Sequence, residues 1–334
     1  MKRLAAISAL LILAAPAPAL AWGGTGHRIV GTVAMRALPS EVPAFLRTPQ
    51  AAADIGELSR ELDRSKGGGK LHDSSRDPAH FLDAEDDGRI LGGPLVSTPP
   101  TTRADYEAAL QAVGTNSWKA GYLNYAIVDE TQQLARDFAY WRTLAAAERN
   151  PAWRAHRGWF VADRRRREAL LLQTLGNLSH YVADGSQPLH VSAHYNGWGD
   201  YPNPQGFTQA RIHGPFESDF VARVATPADV TRRLRPLRSC NCALEQRVAD
   251  YLTGTWRQVE PFYALEKAGG FQGVDPRGKA FAEERLATGA SELRDLIVEA
   301  WRASAEAEVG WKAVKVRDVE AGRVDPYLAL VGAD

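Results

Sequence analysis

Apolar residues recur at intervals of three and four along several stretches of the chain, which is the spacing of helices that bury one face. In residues 28–38 this stripe contains Val30 and Val33, and Pro39 predicts the end of the helix. Further helices are predicted over residues 105–113, 130–146, 164–184, 243–268 and 280–304, and Pro261 predicts a kink or break in the helix 243–268. No stretch alternates strictly between apolar and polar residues, and no segment repeats. We therefore expect an all-α fold.

Loops are predicted where glycine, proline and asparagine accumulate, over residues 67–69, 88–102 and 195–207. None of these loops separates two regions of different composition. We therefore expect residues 22–334 to form a single multi-helix domain.

The first 21 residues have the pattern of a signal peptide rather than of a folded element. Lys2 and Arg3 precede an apolar run over residues 4–15, and Ala19-Leu20-Ala21 fits a signal peptidase site. The apolar run is too short for a spanning helix, although an uncleaved membrane anchor is the alternative. We expect cleavage before Trp22 and a secreted or periplasmic protein with no transmembrane segment.

Composition narrows the function classes. The chain is 45% hydrophobic and 24% charged, which excludes a wholly disordered protein, and its 40 basic residues equal its 40 acidic residues. Loss of Lys2 and Arg3 with the signal peptide would leave a net charge of −2, so overall charge encodes no broad basic surface for nucleic acid. Cys240 and Cys242 are the only cysteines. A bridge between them would close almost no loop and add little stability, and the sequence leaves open whether it forms.

One group of candidate metal ligands lies at the end of the predicted helix 164–184. His180 and Asp184 are four residues apart and share a helix face. Pro188 ends that helix, so His190 can fold back beside them. Imidazole nitrogens and carboxylate oxygens together suit zinc.

A second pair has the same spacing. His213 and Glu217 are four residues apart, and Pro215 stands where the first turn of a helix tolerates proline. Either pair alone is weak support for a metal site, because such pairs are commonly surface hydrogen bonds. Their joint occurrence is more specific, because the chain has only eight histidines.

With these residues the chain resembles the S1/P1 nuclease family, the zinc-dependent superfamily of single-strand-specific nucleases and phospholipases C. Trp22 is followed five residues later by His27, as at the family's mature N-terminus. The family's central and later motifs correspond to HYVADGSQPLH at residues 180–190 and HGPFE at residues 213–217, and a further block, HFLD, begins at His80. The tail from Arg285 to Trp301 resembles the family's last helix. The resemblance implies the phospholipase C/P1 nuclease fold, with long loops around a trinuclear zinc cleft.

The resemblance also implies three Zn²⁺ ions per chain and their ligands. The first ion would be bound by Asp63, His80, His180 and Asp184, the second by His190, His213 and Glu217, and the third by His27, Asp184 and the α-amine and carbonyl oxygen of Trp22. The nitrogen of Trp22 becomes an amine only after signal cleavage. A variant that keeps one extra residue before Trp22 is therefore expected to lose one ion.

The acid of the first site has a competitor. Asp63 is followed three residues later by Lys66, as in the family pattern, whereas Asp54 has Glu57 at that offset. Asp63 is favoured for this reason.

By the same resemblance the protein would be a hydrolase acting on phosphoric ester bonds, an endonuclease that cleaves single-stranded DNA or RNA with zinc-activated water. Activity as a 3′-nucleotidase stays open. Asp63 would orient the attacking water, and Lys66 would neutralise charge on the phosphoryl oxygens. Phe81 would stack on an unpaired base and Asp83 would accept a hydrogen bond from its edge, although core packing is an equal reading of Phe81. The partners implied are single-stranded nucleic acid or nucleotides as substrate, with no stable protein partner.

Two alternatives remain. Glu217 is typical of the family's phospholipases C, and Trp198 and Tyr201 would contact a base or lie at a lipid interface. A nuclease is favoured because the Gln-Pro-Leu-His and His-Phe-x-Asp blocks look closer to those of the nucleases. The other alternative is a non-catalytic zinc-binding protein, which would have no need of Asp63 and Lys66.

Overall fold

The apolar stripes of the sequence correspond to long helices in the structure, a computed structural model that describes residues 22–240 and 242–332. In chain order the helices are α1 (Gly24–Arg36), α2 (Pro49–Leu58), α3 (Glu61–Arg64), α4 (Lys70–Arg76), α5 (Arg103–Ala112), α6 (Ser117–Ala120), α7 (Leu123–Arg149), α8 (Arg157–Ser186), α9 (Val221–Val224), α10 (Pro227–Arg232), α11 (Leu244–Trp256), α12 (Val259–Lys267), α13 (Pro276–Ala303), α14 (Val316–Glu320) and α15 (Tyr327–Val331). Single turns of 3₁₀-helix cover Ala44–Arg47, Asp77–His80, Pro151–His156, Pro188–His190 and Ser304–Glu306, and Pro215–Phe220 is a π-helical turn. The described residues form one mostly helical domain, as the sequence predicts at this level.

Helices α7, α8 and α13 form the centre of the domain. The first two pack along each other and are joined by the short turn at Pro151–His156, and α13 contacts both. Leu134 and Phe138 of α7 and Leu175 of α8 are fully buried, so the predicted stripes do face the core. Helix α1 packs against α2, α8 and α13, which places its side chains beside α8.

The end of α8 follows from local sequence. The helix stops at Ser186, where Gln187 is extended and its side chain accepts a hydrogen bond from the backbone nitrogen of Leu189. Pro188 then opens the 3₁₀ turn that contains His190. The chain therefore turns sharply just after Asp184.

Two expectations need correction. Residues 243–268 do contain a break, but it falls at Arg257–Gln258 between α11 and α12, and Pro261 lies inside the first turn of α12, where its missing N–H costs nothing. The structure also contains one small antiparallel pair of strands, β1 (Glu308–Val309) and β2 (Val314–Lys315), which pairs Val309 with Val314. The three predicted loops contain no helix.

Cys240 and Cys242 form a disulfide, which answers the question left open by the sequence. None of the helices within residues 22–240 and 242–332 is both long and apolar enough to cross a membrane. The predicted signal peptide, residues 1–21, lies outside the described residues.

Candidate metal centre

Buried histidines from separate parts of the chain meet at the C-terminal end of α8. His180 and Asp184 lie on this helix, His27 comes from α1, and His80 ends the 3₁₀ turn before the predicted loop 88–102. The side chains of His27, His180 and Asp184 are fully buried, and His80 is 4% exposed. Burial of this many titratable groups in one place calls for a compensating interaction.

The first cluster consists of His27, His180 and Asp184. The rings of His27 and His180 are stacked, with centroids 4.1 Å apart. The Nε2 atom of His27 lies 3.5 Å from Asp184 Oδ1, and that of His180 lies 3.2 Å from Asp184 Oδ2. One carboxylate therefore faces both rings.

The second cluster consists of Asp63, His80 and His180. His80 Nδ1 lies 2.8 Å from His180 Nε2 and 3.2 Å from Asp184 Oδ2, and Lys66 Nζ donates to Asp63 Oδ1 at 2.6 Å. The competitor Asp54 accepts a hydrogen bond from Gln50 instead and belongs to neither cluster.

The third cluster consists of His190, His213 and Glu217, all nearly or fully buried. Glu217 Oε1 lies 3.1 Å from His190 Nε2 and 2.8 Å from His213 Nε2, and the two Nε2 atoms are 3.1 Å apart. This group is the one expected for the second zinc. The other two clusters differ from the expected sets in the position of His180. The resemblance implies this residue at the first zinc only, but it belongs to both clusters because its ring also faces His27.

Backbone carbonyls fix the tautomers of two of these histidines. His180 Nδ1 lies 2.7 Å from the carbonyl oxygen of Ser59, and His190 Nδ1 lies 2.6 Å from that of His80. A carbonyl oxygen only accepts, so each Nδ1 carries a proton, and in the neutral form of each ring the lone pair of Nε2 faces a cluster. This is the arrangement by which proteins orient histidine ligands of metals.

Several polar atoms at the centre lack a partner. Both ring nitrogens of His27, Oδ1 of Asp184, Nδ1 of His213 and Oε2 of Glu217 are buried and make no hydrogen bond within the described residues. Unpaired buried groups of this kind each cost about 1–3 kcal/mol. Divalent ions among the clusters would satisfy the inward-facing atoms, so the donor set fits the metal ions that the sequence predicts.

The surroundings lower the pKa of two of the clustered histidines and raise that of two others. Burial, assisted by the nearby His180, lowers the pKa of His27 to about 3, and burial lowers that of His80 to about 4. Although burial alone would lower both values, the charge of Asp184 raises the pKa of His180, and Asp184 together with Glu217 raises that of His190 to about 9. Burial alone would raise the pKa of Asp184, but the charges of His180 and His190 hold it well below its usual value. Neutral imidazoles beside an ionised carboxylate are the forms that bind divalent metals.

A cavity of about 370 Å³ opens beside the clusters. His80, His190 and His213 line it, together with the predicted substrate residues Phe81 and Asp83. Burial raises the pKa of Asp83 well above its ordinary value. The two predicted substrate residues therefore line the same cavity as three of the clustered histidines.

The position of Phe81 depends on Gly121. This glycine has φ +76°, and a Cβ on it would lie 2.0 Å from the carbonyl oxygen of Phe81. Only glycine accepts both the backbone conformation and the close approach.

Trp22 and Trp198 are both buried in the structure. Trp22 is fully buried, and its indole nitrogen donates to the carbonyl of Ala183 on α8 at 2.7 Å, whereas the ligand role of its α-amine and carbonyl oxygen stays a prediction. Trp198 is 4% exposed and stacks on His194 with centroids 3.8 Å apart. This burial leaves little of the Trp198 ring available to a base or to a lipid interface.

Sequence reasoning missed several residues of this region, among them Asp77, which lines the cavity. Lys119 and Tyr195 also line the cavity, and Gln187 donates to Glu217 Oε1 at 2.7 Å. Lys119 and Tyr195 come from loops or short helices with no periodic signal. Gln187 stands inside the Gln-Pro-Leu-His block, so its proximity to the histidines was a usable signal.

No protein-family model matches the chain, and no curated protein matches it. The described residues contain three buried groups of histidine and carboxylate side chains that could hold metal ions. The identity of the metal and the reaction are matters for proposal.

Proposed function

We propose that the protein is a zinc-dependent phosphodiesterase of the S1/P1 nuclease type that hydrolyses single-stranded DNA or RNA. The observation that carries this proposal is that His80, His190 and His213, which belong to two of the three buried histidine–carboxylate clusters, line a cavity together with Phe81 and Lys66. A structural metal site would be closed on all sides, whereas this one borders a space that a substrate can enter.

The ions would be held by the three clusters and by Asp184, which faces His27, His80 and His180. When bound, zinc supplies Lewis-acid stabilisation of a phosphoryl oxygen and lowers the pKa of a water molecule toward neutrality. Nitrogen-rich ligand sets of this kind favour zinc over magnesium or calcium.

The residues around the clusters supply the remaining functions. One carboxylate oxygen of Asp63 accepts a hydrogen bond from Lys66, and the other lies 3.9 Å from His27 Nε2. Asp63 can therefore accept a proton from a water held among the clusters. The side chain of Lys66 is 20% exposed and lines the cavity, where its charge would offset that of a phosphate group. Both are assigned as catalytic residues of the proposed reaction.

The cavity favours an unpaired base as occupant. The half-buried ring of Phe81 offers a stacking surface, and Tyr195, 49% exposed, offers a second one. The carboxyl of Asp83 can accept a hydrogen bond from a base edge and, when protonated, can also donate one. Stacking needs a base that is not paired in a duplex.

The direct test is a substrate panel. The zinc-loaded protein is incubated with single-stranded DNA, RNA, duplex DNA and phosphatidylcholine vesicles, each with and without a chelator. Chelator-sensitive cleavage of the single strands supports the proposal. Release of diacylglycerol with intact polynucleotides would establish the phospholipase C alternative, and bound zinc without turnover of any substrate would indicate a non-catalytic zinc-binding protein.

A matched pair of variants separates Asp63 from general loss of charge. Asp63→Asn is expected to lower the turnover number at least 100-fold, since removal of one positioned catalytic group commonly costs this much. Asp54→Asn removes the same charge from a residue bonded only to Gln50 and should keep activity within about twofold of wild type. Equal activity of the two variants would contradict the assigned role.

A further inference from the structure

A second cavity, of about 500 Å³, lies between α11, α13 and the segment 233–240. None of the residues that line it belongs to the histidine clusters. Four of its lining side chains are arginines, Arg235, Arg238, Arg247 and Arg285, and the proposed hydrolase uses none of them.

Arg285 of α13 is the buried member of this group. It is 6% exposed, and its Nη2 donates to Thr288 Oγ1 at 2.7 Å. Within the described residues its Nε and Nη1 atoms make no hydrogen bond, and no carboxylate oxygen lies within 4 Å of the guanidinium. A buried guanidinium without a counter-ion costs folding free energy, because the charge has lost its hydration and no opposite charge replaces it.

A second guanidinium adds to this cost. Arg235 Nη2 also donates to Thr288 Oγ1, at 2.9 Å, so two cationic groups converge on one hydroxyl oxygen. Within the described residues, the one carboxylate partner of Arg235 is Glu284, at 2.8 Å. Burial first, and the charge of Arg235 in addition, lower the pKa of Arg285. An anion beside the two groups would relieve this repulsion.

Two of the three acids that line the cavity, Glu292 and Asp295, are already engaged by other arginines, and the third, Asp250, accepts a hydrogen bond from Gln246. Arg247 lies 2.6 Å from Glu292 and also pairs with Glu299 and, at 3.7 Å, with Asp295. Asp295 in turn lies 2.6 Å from Arg294. Glu292, Glu299 and Asp295 are therefore committed to other arginines and do not neutralise Arg285.

Two further groups face the space with unused hydrogen-bonding capacity. Thr255 is fully buried, lines the cavity, and has a hydroxyl oxygen without a partner in the described part of the chain. Arg238 is exposed at the cavity, and its side chain makes no hydrogen bond or ion pair among the described residues. Arg238 supplies an exposed cation, Arg285 a buried cation and Thr255 a hydroxyl group around the same cavity.

We propose that this arginine-lined cavity is a second binding site, distinct from the histidine clusters, for a small ligand that carries a phosphate or similar compact oxyanion group. Planar guanidinium groups match the oxygens of such groups in two parallel hydrogen bonds. The volume has room for more than the oxyanion alone, because pockets for small organic ligands span about 300–1,000 Å³. The proposal does not depend on the proposed hydrolase activity.

The test is calorimetric titration of the zinc-loaded protein with inorganic phosphate and, separately, with 5′-AMP. Arg285→Gln is expected to weaken the binding at this site about tenfold or more, the usual effect of losing a charged hydrogen-bond partner. Arg238→Gln, which alters only an exposed side chain, should weaken it several-fold even if the first variant folds poorly. Arg36→Gln removes the same charge from an exposed residue outside the cavity and is the matched control, with unchanged affinity.

Hydrogen exchange identifies which site is filled. Ligand-dependent protection of residues 233–240, abolished by Arg285→Gln, supports the proposal. Equal affinity for phosphate and 5′-AMP would mean that the site recognises the oxyanion group alone. Tighter binding of 5′-AMP would mean that the site recognises a nucleotide. Protection confined to residues 180–190 and 213–217, or no binding at millimolar concentration, would overturn it.

Discussion

At the residue scale, Glu217 shows how a single carboxylate can join the residues of a candidate metal site. Its Oε1 atom receives a hydrogen bond from Gln187 and faces His190 and His213, while its Oε2 atom is buried without a partner within the described residues. Protein partners alone do not explain the burial of Oε2, because this oxygen has lost its water and no donor replaces it. A bound cation would explain it.

Replacing Glu217 tests this reading directly. Glu217→Gln keeps the shape of the side chain but removes its charge, so the protein should bind about one metal ion fewer per chain, as counted by elemental analysis. Glu61→Gln is the control, because Glu61 makes its ion pair with the exposed Arg64. Identical metal content in the two variants would rule out Glu217 as a ligand.

The sequence indicates part of this site at the residue scale. The four-residue spacing of His180 and Asp184 suffices to put both on one face of α8, and the structure has them 3.2 Å apart. The stacking of His27 on His180 has no local signal, because it depends on how α1 packs against α8. Contacts between distant parts of the chain follow from packing, which periodicity does not describe.

At the element scale, the short segment before α7 holds Phe81 in the cavity wall. Gly121 pairs with Leu82 in an isolated bridge, and its positive φ angle lets the backbone pass Phe81 closely. The position of the proposed stacking surface is therefore set by a glycine about forty residues away in sequence.

Two glycine substitutions separate backbone strain from the close approach. Gly121→Ala should destabilise the protein by about 2 kcal/mol or more beyond the cost of Gly114→Ala, measured by urea denaturation. Both glycines have positive φ angles, +76° and +79°, but a Cβ on Gly114 would meet nothing within 4 Å. Equal destabilisation would mean that the contact with Phe81 is relieved at no cost.

The packing of α7 against α8 also buries an acid. Burial raises the pKa of Glu130 to about 7, although a hydrogen bond from Asn177 of α8 opposes the shift. The folded state therefore holds a proton that the unfolded chain releases, so this stability is full below pH 4.5 and is lost as the pH rises through 7.

Glu130→Gln should remove this pH dependence. Relative to wild type, the variant is expected to gain roughly 2 kcal/mol of unfolding free energy between pH 4.5 and pH 8. Chemical denaturation at the two pH values measures the difference. A constant difference across this range would show that Glu130 titrates normally.

At the scale of the whole molecule, the helical framework is predictable and its details are not. Long helices such as α8 and α13 show clear stripes because each turn repeats the same contact with the core. The start of α7 at Leu123, before the predicted residue 130, is missed because both faces of its first turns are buried, including Asn124 and Ile127. Helices as short as α3 contain too few residues to show a period.

Metal removal should affect the stability of the entire domain. If three sites bind zinc at free concentrations about 100-fold above their dissociation constants, each contributes about 2.7 kcal/mol, so a chelator should lower the melting temperature by roughly 10 °C or more in calorimetry. Added zinc should restore the melting temperature and added magnesium should not, given the histidine ligands. An unchanged transition after verified depletion would contradict a stabilising role for the metal.

The carboxylate of Asp184 faces three imidazoles that come from three separate regions of the chain. Ions bound on either side of it would share one negative charge and one fixed geometry. Occupancy of one position would thus pre-order the ligands of its neighbour while adding repulsion between the cations, so loading is expected to proceed in sequence, through a discrete partly filled species, rather than as independent events.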